Sequence, residues 1–356
     1  MPTARKIILY THAMSGGGAE RVCALLASGF ARAGCEVILA TDFAAPDNQN
    51  FVDALVRQVP LGSGHVANVW ALARLLRREK PDVAMSALGI SNLKLTLAAL
   101  VAGTLGRTIL SYHGFGRAEP QFLSRLSYLL TPALTRLTAA TVCVSDALRD
   151  DLVSRWRASK DRTIRIYNPV AVRLAHVPHS RRPMVLAVGR LNREKNVCGL
   201  VRAFALMKHA NATLLILGEG EERPAIEAEV ARLGLQGRVS LPGYASEPWA
   251  AYAEASCLAV SSRSETFSLV VVEALANGLP VVSTACMGPE EILDHGRFGT
   301  IVPYDDARAM AAALDACLDN PGDPAPRKAR AAEFSVAVAL ASYGRLFDRV
   351  SGSAKR

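Results

Sequence analysis

Residues 264–283, SETFSLVVVEALANGLPVVS, decide the predicted fold. The preceding run CLAVSS (257–262) has the length and composition of a buried strand, LVVVEALANG (269–278) is typical of a short helix, and PVVST (280–284) predicts a second buried strand. Strand, helix and strand in this order form the βαβ unit of a parallel sheet. We predict that Ser268 caps the helix and that Gly278 ends it.

The same stretch holds two carboxylates in mostly apolar surroundings. Glu265 precedes the helix at the carboxyl end of a strand, which is where ligands bind in parallel sheets, and the amides of Thr266, Phe267 and Ser268 would face an anion or a hydroxyl group. Glu273 lies inside an apolar helix, where a carboxylate is costly unless it has partners. We therefore predict that both glutamates bind a ligand; the alternative is that both lie on a solvated helix face.

Length and composition indicate a two-domain globular protein. The chain has 356 residues, of which half are hydrophobic. Its seven cysteines show no CxxC spacing, which predicts reduced thiols in a cytosolic protein. The first apolar run, in KIILYTH (6–12), is too short for a signal sequence, and the longest apolar stretch (95–106) is too short to span a bilayer. A cytoplasmic location is therefore expected.

Strand and helix patterns alternate through both halves of the chain, which predicts an α/β fold with mostly parallel sheets. The segment 169–183, with three prolines and little periodicity, is the predicted linker, and PGDPAPRK (321–328) is a predicted break before a last helix. We expect ligands to bind in a cleft between the two domains.

Charge is distributed unevenly. Residues 1–182 contain 23 basic and 12 acidic residues, whereas the rest of the chain contains 18 basic and 20 acidic residues. A basic first half favours an anionic partner. Nucleic acid is disfavoured because zinc-finger spacing and an RNP-type aromatic motif are absent from the sequence. An anionic membrane surface and a diphosphate-bearing substrate remain; a generally arginine-rich composition would give the same charge.

Three further patterns follow predicted strands. SGGGAER (15–21) is a glycine-rich turn, although it matches neither GxGxxG nor a Walker loop. VGRLNREKN (188–196) carries Arg190 and Lys195, two cations that suit a diphosphate. His113, in SYHGFG, lies at another strand end, where either a functional or a structural histidine is expected.

Five segments carry a resemblance to a known family: GGGAERV, AVGRLNREKN, LILGEGEER, VSLPGY and SETFSLVVVEALANGLPVVSTACMGPEEIL. In order and spacing, they resemble the retaining GT-B glycosyltransferases of the family 4 or group 1 type, which carry an E-x7-E motif. The resemblance covers nearly the whole chain. It implies two Rossmann-like domains with parallel sheets that face an interdomain cleft. Residues 1–168 would form the acceptor-side domain, 184–330 the nucleotide-sugar domain, and 331–350 a helix that crosses back to the first domain.

The resemblance also implies roles for individual residues. Four would act at the reacting centre, by contacting the donor sugar or stabilising the diphosphate: His113, Arg190, Lys195 and Glu265. Six would bind substrate through the phosphates, the sugar or the ribose: Gly17, Gly18, Thr266, Phe267, Ser268 and Glu273. The third glycine of the loop departs from the family's usual pair. CMGPEEIL (286–293) is similar to a segment of enzymes that build glycans on polyprenyl diphosphate.

The implied reaction is transfer, with retention, of a hexose or N-acetylhexosamine from a UDP- or GDP-sugar to a polyprenyl-diphosphate-linked glycan. The leaving diphosphate would take the acceptor's proton. Since no D-x-D occurs, neither a metal nor another cofactor is expected. The alternatives are a nucleotide-sugar 2-epimerase of the same fold and a non-catalytic nucleotide-sugar binder.

Segment 121–138 is basic and amphipathic, with Arg125 and Arg136 beside Leu126, Leu129 and Leu130 and also Phe122. We hypothesise that it lies on the inner face of the cell membrane and presents a lipid-linked acceptor. The alternative is that its leucines pack into an ordinary core.

Overall fold

The computed structural model describes residues 5–14, 17–43, 49–62, 64–116, 122–173 and 183–353. The chain divides into two compact units, Met1–Pro169 together with Val336–Arg356, and Val170–Ser335. Most of the predicted linker, residues 174–182, lies outside the described residues.

The first unit contains a seven-stranded parallel sheet with the strand order β3-β2-β1-β4-β5-β6-β7. Its strands are β1 Lys6–Thr11, β2 Glu36–Thr41, β3 Arg57–Pro60, β4 Val83–Ser86, β5 Thr108–Tyr112, β6 Ala140–Cys143 and β7 Thr163–Arg165. Its helices are α1 Gly18–Arg32, α2 His65–Glu79, α3 Gly89–Ala102, α4 Phe122–Leu129, α5 Thr131–Leu137, α6 Asp146–Ser154 and, from the far end of the sequence, α14 Val336–Ser353.

The second unit contains a six-stranded parallel sheet with the strand order β10-β9-β8-β11-β12-β13. Its strands are β8 Met184–Val188, β9 Thr213–Leu217, β10 Val239–Gly243, β11 Cys257–Val260, β12 Val281–Thr284 and β13 Thr300–Val302. Its helices are α7 Val197–Ala205, α8 Arg223–Arg232, α9 Trp249–Glu254, α10 Leu269–Ala276, α11 Met287–Ile292, α12 Ala307–Asp319 and α13 Ala325–Ala332.

The central strands are largely apolar, as expected for a parallel sheet whose two faces are both covered by helices. Ile7, Ile8 and Leu9 of β1 are fully buried, as are Val185 and Leu186 of β8. The predicted α/β fold with two parallel sheets is therefore confirmed.

Several elements differ from the sequence prediction. The edge strands β3 and β13 were not predicted: both are short and partly exposed, and β3 has no apolar run. The predicted segment 121–138 is two helices, α4 and α5, with a turn at Leu130 and a proline in the first turn of α5. The predicted break at 321–328 becomes helical at Ala325, because a proline is tolerated at the start of a helix.

Helix α14 packs on α1 of the first unit. Phe30 and Phe347 stack with their ring centroids 5.1 Å apart, and Leu340 lies against Gly29, where a β-carbon would overlap it. Arg5 forms an ion pair with Asp348. Residues from both ends of the described chain thus complete one hydrophobic core.

The cysteines are free thiols, and five of the seven are buried. Burial raises the pKa of Cys23 and of Cys286 to about 12, so both are protonated at neutral pH. In the described parts of the chain, no helix combines the length and the hydropathy needed to span a bilayer.

Candidate functional site

The carboxyl edge of the second sheet brings two predicted site residues together. β8 and β11 are hydrogen-bonded neighbours in the sheet, so the loops that follow them emerge side by side. Lys195 comes from the first loop and Glu265 from the second, and Lys195 Nζ donates to Glu265 Oε1 at 2.8 Å. These residues are 70 positions apart in the sequence, and the parallel topology alone makes them partners.

The loop after β8 holds Lys195 in a fixed place. The Asn192 side chain accepts a hydrogen bond from the backbone amide of Lys195 at 3.2 Å, which forms a short 3₁₀ turn. Ser261 Oγ donates to the Lys195 carbonyl at 2.7 Å, and the Arg263 amide donates to the Glu194 carbonyl at 2.7 Å. The two loops are therefore joined through their backbones as well as through the ion pair.

Glu265 is an ionised, largely buried carboxylate. Its side chain is 9% exposed, and Ser262 Oγ donates to Oε1 at 2.6 Å. Burial by itself would raise the pKa of Glu265, but the charge and hydrogen bond of Lys195 together with the Ser262 hydroxyl lower the pKa below its ordinary value. Glu265 is thus a permanent hydrogen-bond acceptor at neutral pH.

Arg190 follows β8 as predicted but is not part of this ion pair. Its side chain is exposed, and among the described residues its guanidinium has no hydrogen bond or ion pair. Lys195 is therefore held by Glu265, whereas the Arg190 guanidinium is available to an anion.

The loop 266–268 enters α10 in an uncommon backbone conformation. Ser268, at the N-cap position, has φ +91°, a region that a residue with a side chain rarely adopts. The prediction that the Ser268 side chain caps the helix is wrong, because its hydroxyl makes no cap hydrogen bond. Phe267 is buried and packs edge-on against Phe334 at 5.7 Å. A strained residue at a strand-to-helix turn is typical of ligand-binding loops.

Gly288, in the first turn of α11, lies directly against this loop. Its amide donates to the Glu265 carbonyl at 2.9 Å, and a β-carbon at Gly288 would lie 2.5 Å from both the backbone nitrogen and the oxygen of Phe267. The resemblance of CMGPEEIL to known enzymes does not by itself explain its glycine. The structure shows that its glycine permits the close backbone approach that positions residues 265–267.

Glu273 is buried inside α10 with 1% of its surface exposed. Tyr252 Oη, from α9, donates to Glu273 Oε2 at 2.7 Å. The buried carboxylate thus has a partner within the protein, Tyr252, which the sequence did not single out because it lies 21 positions away on another helix. The predicted role of Glu273 in binding a ligand stays a prediction.

The remaining predicted residues belong to the first unit. Gly17 is the N-cap residue of α1 and Gly18 is its first residue; Ser15 and Gly16 lie outside the described residues. A β-carbon at Gly17 would overlap the Glu20 carboxylate, so a larger residue there would require the Glu20 side chain to rotate away.

His113 follows β5 at the carboxyl edge of the first sheet. Ser111 Oγ lies 2.9 Å from His113 Nε2, and burial lowers the pKa of His113 to about 4. Asn92 fixes this region, because its side chain bonds both the backbone amide and the carbonyl of Ser111, as well as Ser86 Oγ. His113 is therefore neutral at physiological pH and can exchange hydrogen bonds with an uncharged group.

Comparison with known families agrees with this arrangement. Residues 16–174 match the model of Glycosyltransferase Family 4, and residues 173–334 match that of Glycosyl transferases group 1. One curated relative is the N-acetylgalactosamine-N,N'-diacetylbacillosaminyl-diphospho-undecaprenol 4-alpha-N-acetylgalactosaminyltransferase of Campylobacter jejuni, 31% identical over 179 residues that cover 48% of each chain. The chain thus spans about half the length of this relative.

Two further proteins are similar over most of their length. D-inositol 3-phosphate glycosyltransferase 1 of Catenulispora acidiphila is 28% identical over 82% of this chain and 80% of its own. The crystal structure of Anabaena Alr3699/HepE in complex with UDP-glucose aligns with a TM-score of 0.83 at 18% identity, over 97% of this chain and all of that one. The structural match shows the GT-B fold. The two family models together span residues 16–334, and the chain belongs to the glycosyltransferases of the group 1 and family 4 type.

Proposed function

We propose that this chain transfers a hexose or N-acetylhexosamine, with retention, from a nucleoside-diphosphate sugar to a glycan acceptor linked to polyprenyl diphosphate. The observation that carries the proposal is the Lys195–Glu265 pair at the carboxyl edge of the second sheet. Arg190, on the same loop as Lys195, is exposed and has no ion pair with any residue that the structure describes. The pair supplies a fixed acceptor for sugar hydroxyls, and the cations suit a diphosphate.

In the proposed mechanism the protein contributes charge and position. Arg190 and Lys195 stabilise the charge that develops on the leaving diphosphate, and the diphosphate oxygen removes the acceptor's proton. Glu265 and the amides of residues 266–268 orient the donor sugar, while Glu273 accepts hydrogen bonds from the ribose. We propose that neither a metal nor another cofactor takes part. UDP as donor nucleotide is supported by the similar Anabaena protein, whose crystal structure contains UDP-glucose; GDP is the alternative.

The purified protein should be incubated with UDP- and GDP-linked hexoses and N-acetylhexosamines, with and without a short-chain polyprenyl-diphosphate glycan. Mass spectrometry would detect the glycosylated acceptor, and the anomeric proton coupling in NMR spectra would report retention. Conversion of the nucleotide sugar without acceptor would indicate the epimerase instead. A thermal shift by the nucleotide sugar with no turnover would indicate the non-catalytic binder.

Replacing Glu273 with alanine should weaken binding of the free nucleoside diphosphate by about 10- to 100-fold, because hydrogen bonds to a charged acceptor contribute roughly 1.5–3 kcal/mol. Isothermal titration calorimetry would measure this. The control is Tyr252→Phe, which removes the internal donor at 2.7 Å but keeps the carboxylate, and should change affinity much less. Unchanged affinity in Glu273→Ala would exclude Glu273 from the ribose site.

We also propose that the α4–α5 segment of the first unit contacts an anionic membrane surface on the cytoplasmic side. Leu129 is 67% exposed and Leu130 38%, so these two do not form the ordinary core of the alternative hypothesis, whereas Leu126 is half-buried. Leu137 adds a further exposed leucine, at 50%. Arg125 and Arg136 are exposed on the same two helices. Gln121 and the Phe122 side chain lie outside the described residues.

Neighbouring helices also carry exposed apolar side chains. α3 packs against both α2 and α4, and exposed apolar side chains occur on α2 at Val66 and Trp70 and on α3 at Leu97 and Leu100. Exposed apolar groups together with basic residues favour attachment to a lipid surface. The relative from Campylobacter jejuni, whose name specifies a diphospho-undecaprenol substrate, supports an acceptor held in a membrane.

Liposome flotation should show binding to anionic vesicles at low salt and release at about 0.5 M salt, where the Debye length falls to a few ångströms. The double variant Arg125→Glu/Arg136→Glu should abolish flotation, since each basic residue contributes on the order of 1 kcal/mol. The matched control is Arg297→Glu/Arg308→Glu, which makes the same charge change on exposed arginines of the second unit. Equal flotation with neutral vesicles would contradict the electrostatic part of the proposal.

A further inference from the structure

A polar cluster at the carboxyl edge of the first sheet is not used by the proposed reaction. His12 and Asp42 directly follow β1 and β2, which pair in parallel with Thr11 opposite Thr41. The Asp42 amide donates to the His12 carbonyl at 2.9 Å, so the two residues lie side by side. In parallel sheets this edge is where ligands bind.

Asp42 is a buried carboxylate with three donors. Tyr10 Oη donates to Oδ1 at 2.7 Å, and His12 Nδ1 and Lys94 Nζ each lie 2.5 Å from Oδ2. Asp42 is 2% exposed and Lys94 is 4% exposed. Burial would raise the pKa of Asp42, but these three donors lower it to about 2. The carboxylate is therefore ionised, and the ammonium of Lys94 compensates its charge.

The hydrogen bonds determine which ring nitrogen of His12 is available. An ionised carboxylate only accepts hydrogen bonds, so His12 Nδ1 carries a proton, and in the neutral ring Nε2 is then an acceptor. The His12 side chain is 41% exposed, with its ring edge-on to Phe43 at 5.1 Å. In the described ranges of the chain, no residue hydrogen-bonds to Nε2. When the His12 ring is neutral, the cluster thus presents one oriented acceptor at the surface of the first unit.

Building on the proposed function, we infer that His12 is an acceptor-binding residue whose Nε2 accepts a hydrogen bond from a sugar hydroxyl of the glycan acceptor. Asp42 and its other donors, Tyr10 and Lys94, position the ring. The ligand is a hydroxyl group and not a phosphate, because the positive charge of Lys94 is buried and neutralised, and a lone pair on Nε2 attracts an O–H donor but repels phosphate oxygens.

Steady-state kinetics with His12→Phe test this inference. The KM for a short-chain polyprenyl diphosphate carrying one N-acetylhexosamine should rise about 3- to 10-fold, the scale of one neutral hydrogen bond. The affinity for the free nucleoside diphosphate, measured by calorimetry, should equal that of the wild type. His12→Gln, which retains an acceptor, should recover part of the loss. The matched control is His209→Phe, because His209 also pairs with an aspartate, Asp319 at 3.0 Å, but lies in the second unit.

An unchanged acceptor KM in His12→Phe would overturn the inference, as would an equal loss of nucleoside diphosphate affinity, which a purely structural role predicts. A second readout does not depend on turnover. In ¹⁵N-histidine spectra of the whole protein, assigned with His12→Gln, His12 should show a protonated Nδ1 and an unprotonated Nε2. The N-acetylhexosamine-bearing compound should shift the Nε2 resonance, and polyprenyl diphosphate without the sugar should not.

The two proposals can fail separately. Absence of transfer by the wild type with every donor would refute the proposed function, and the spectra would still decide the role of His12. A protonated Nε2, an absent shift or an equal shift with the sugar-free compound would refute the inference about His12 even where transfer is observed.

Discussion

Replacing Lys195 with alanine should reduce kcat by roughly 10²- to 10³-fold, the loss that follows removal of one charge-stabilising group from an active site. The ammonium group lies 2.8 Å from Glu265 and would stabilise the leaving diphosphate in the proposed reaction. Turnover of the nucleotide sugar at saturating donor measures this effect. Lys208→Ala, at an exposed position of the same unit, is the matched control.

The Lys195 variant should also be less stable. Glu265 is 9% exposed and would keep Ser262 as a donor but lose its counter-ion, at a cost of about 1–3 kcal/mol. Folding lowers the pKa of Glu265, so the pair contributes to the free energy of unfolding at neutral pH. This contribution is lost as acid protonates the carboxylate. The double variant Lys195→Ala/Glu265→Ala should regain stability without regaining turnover.

Arg190→Ala provides the contrast, because its exposed guanidinium has no ion pair within the described residues. It should lose turnover to a similar extent with an unchanged unfolding temperature. Arg190→Lys should restore turnover only in part, because an ammonium group cannot make the paired hydrogen bonds of a planar guanidinium. Near-normal turnover of either alanine variant at saturating donor would remove that residue from the proposed diphosphate site.

Replacing Gly288 with alanine should disrupt the second unit at the loop that holds Glu265. The new β-carbon would lie 2.5 Å from the backbone nitrogen and oxygen of Phe267, and backbone atoms cannot rotate away as a flexible side chain can. Overpacking of this kind costs about 1–3 kcal/mol or more, and we expect the unfolding temperature to fall by about 5–10 °C. Displacement of residues 265–267 by about 1 Å should reduce turnover by roughly 10²-fold.

Differential scanning calorimetry and turnover at saturating donor test the Gly288 prediction together. Gly344→Ala is the matched control, because Gly344 is also helical and a β-carbon there would meet no atom within 4 Å. Gly344→Ala should be neutral or slightly stabilising, as expected for alanine in a helix. A Gly288→Ala protein with wild-type unfolding temperature and turnover would contradict the prediction, because residues 265–267 would then accommodate the new β-carbon without loss.

The sequence was sufficient for elements that bury long apolar runs. The strands β8 and β11 and the helix α10 were predicted from such runs, and Gly278 ends α10 in the left-handed conformation, at φ +72°, as its position indicated. The edge strand β3 escaped prediction because Arg57 and Gln58 carry no hydrophobic signal. Proline marked 321–328 as a break, although the same residue type is favourable in the first turn of α13.

Hydrogen bonds and ion pairs between residues that are distant in the sequence were the main feature that could not be predicted. Glu265 was predicted as a ligand residue, but its pairing with Lys195 follows from the adjacency of β8 and β11. His12 and Asp42 were also missed, although they directly follow β1 and β2 of the structure, and a polar residue at the carboxyl end of a parallel strand is a usable signal. Their relation to Lys94 requires the order of strands in the sheet, which spacing along the chain does not contain.

The return of α14 to the first unit has a consequence for folding during synthesis. Phe347 and Tyr343 are fully buried in a core that also contains Phe30, so this core lacks part of its apolar surface until residue 347 has left the ribosome. Residues 170–335, in contrast, form a continuous unit and are complete earlier. Domains are generally completed in order from the N-terminus during translation. Here the nascent chain must complete the second unit before the first. In the interval, the apolar face of α1 needs protection from aggregation.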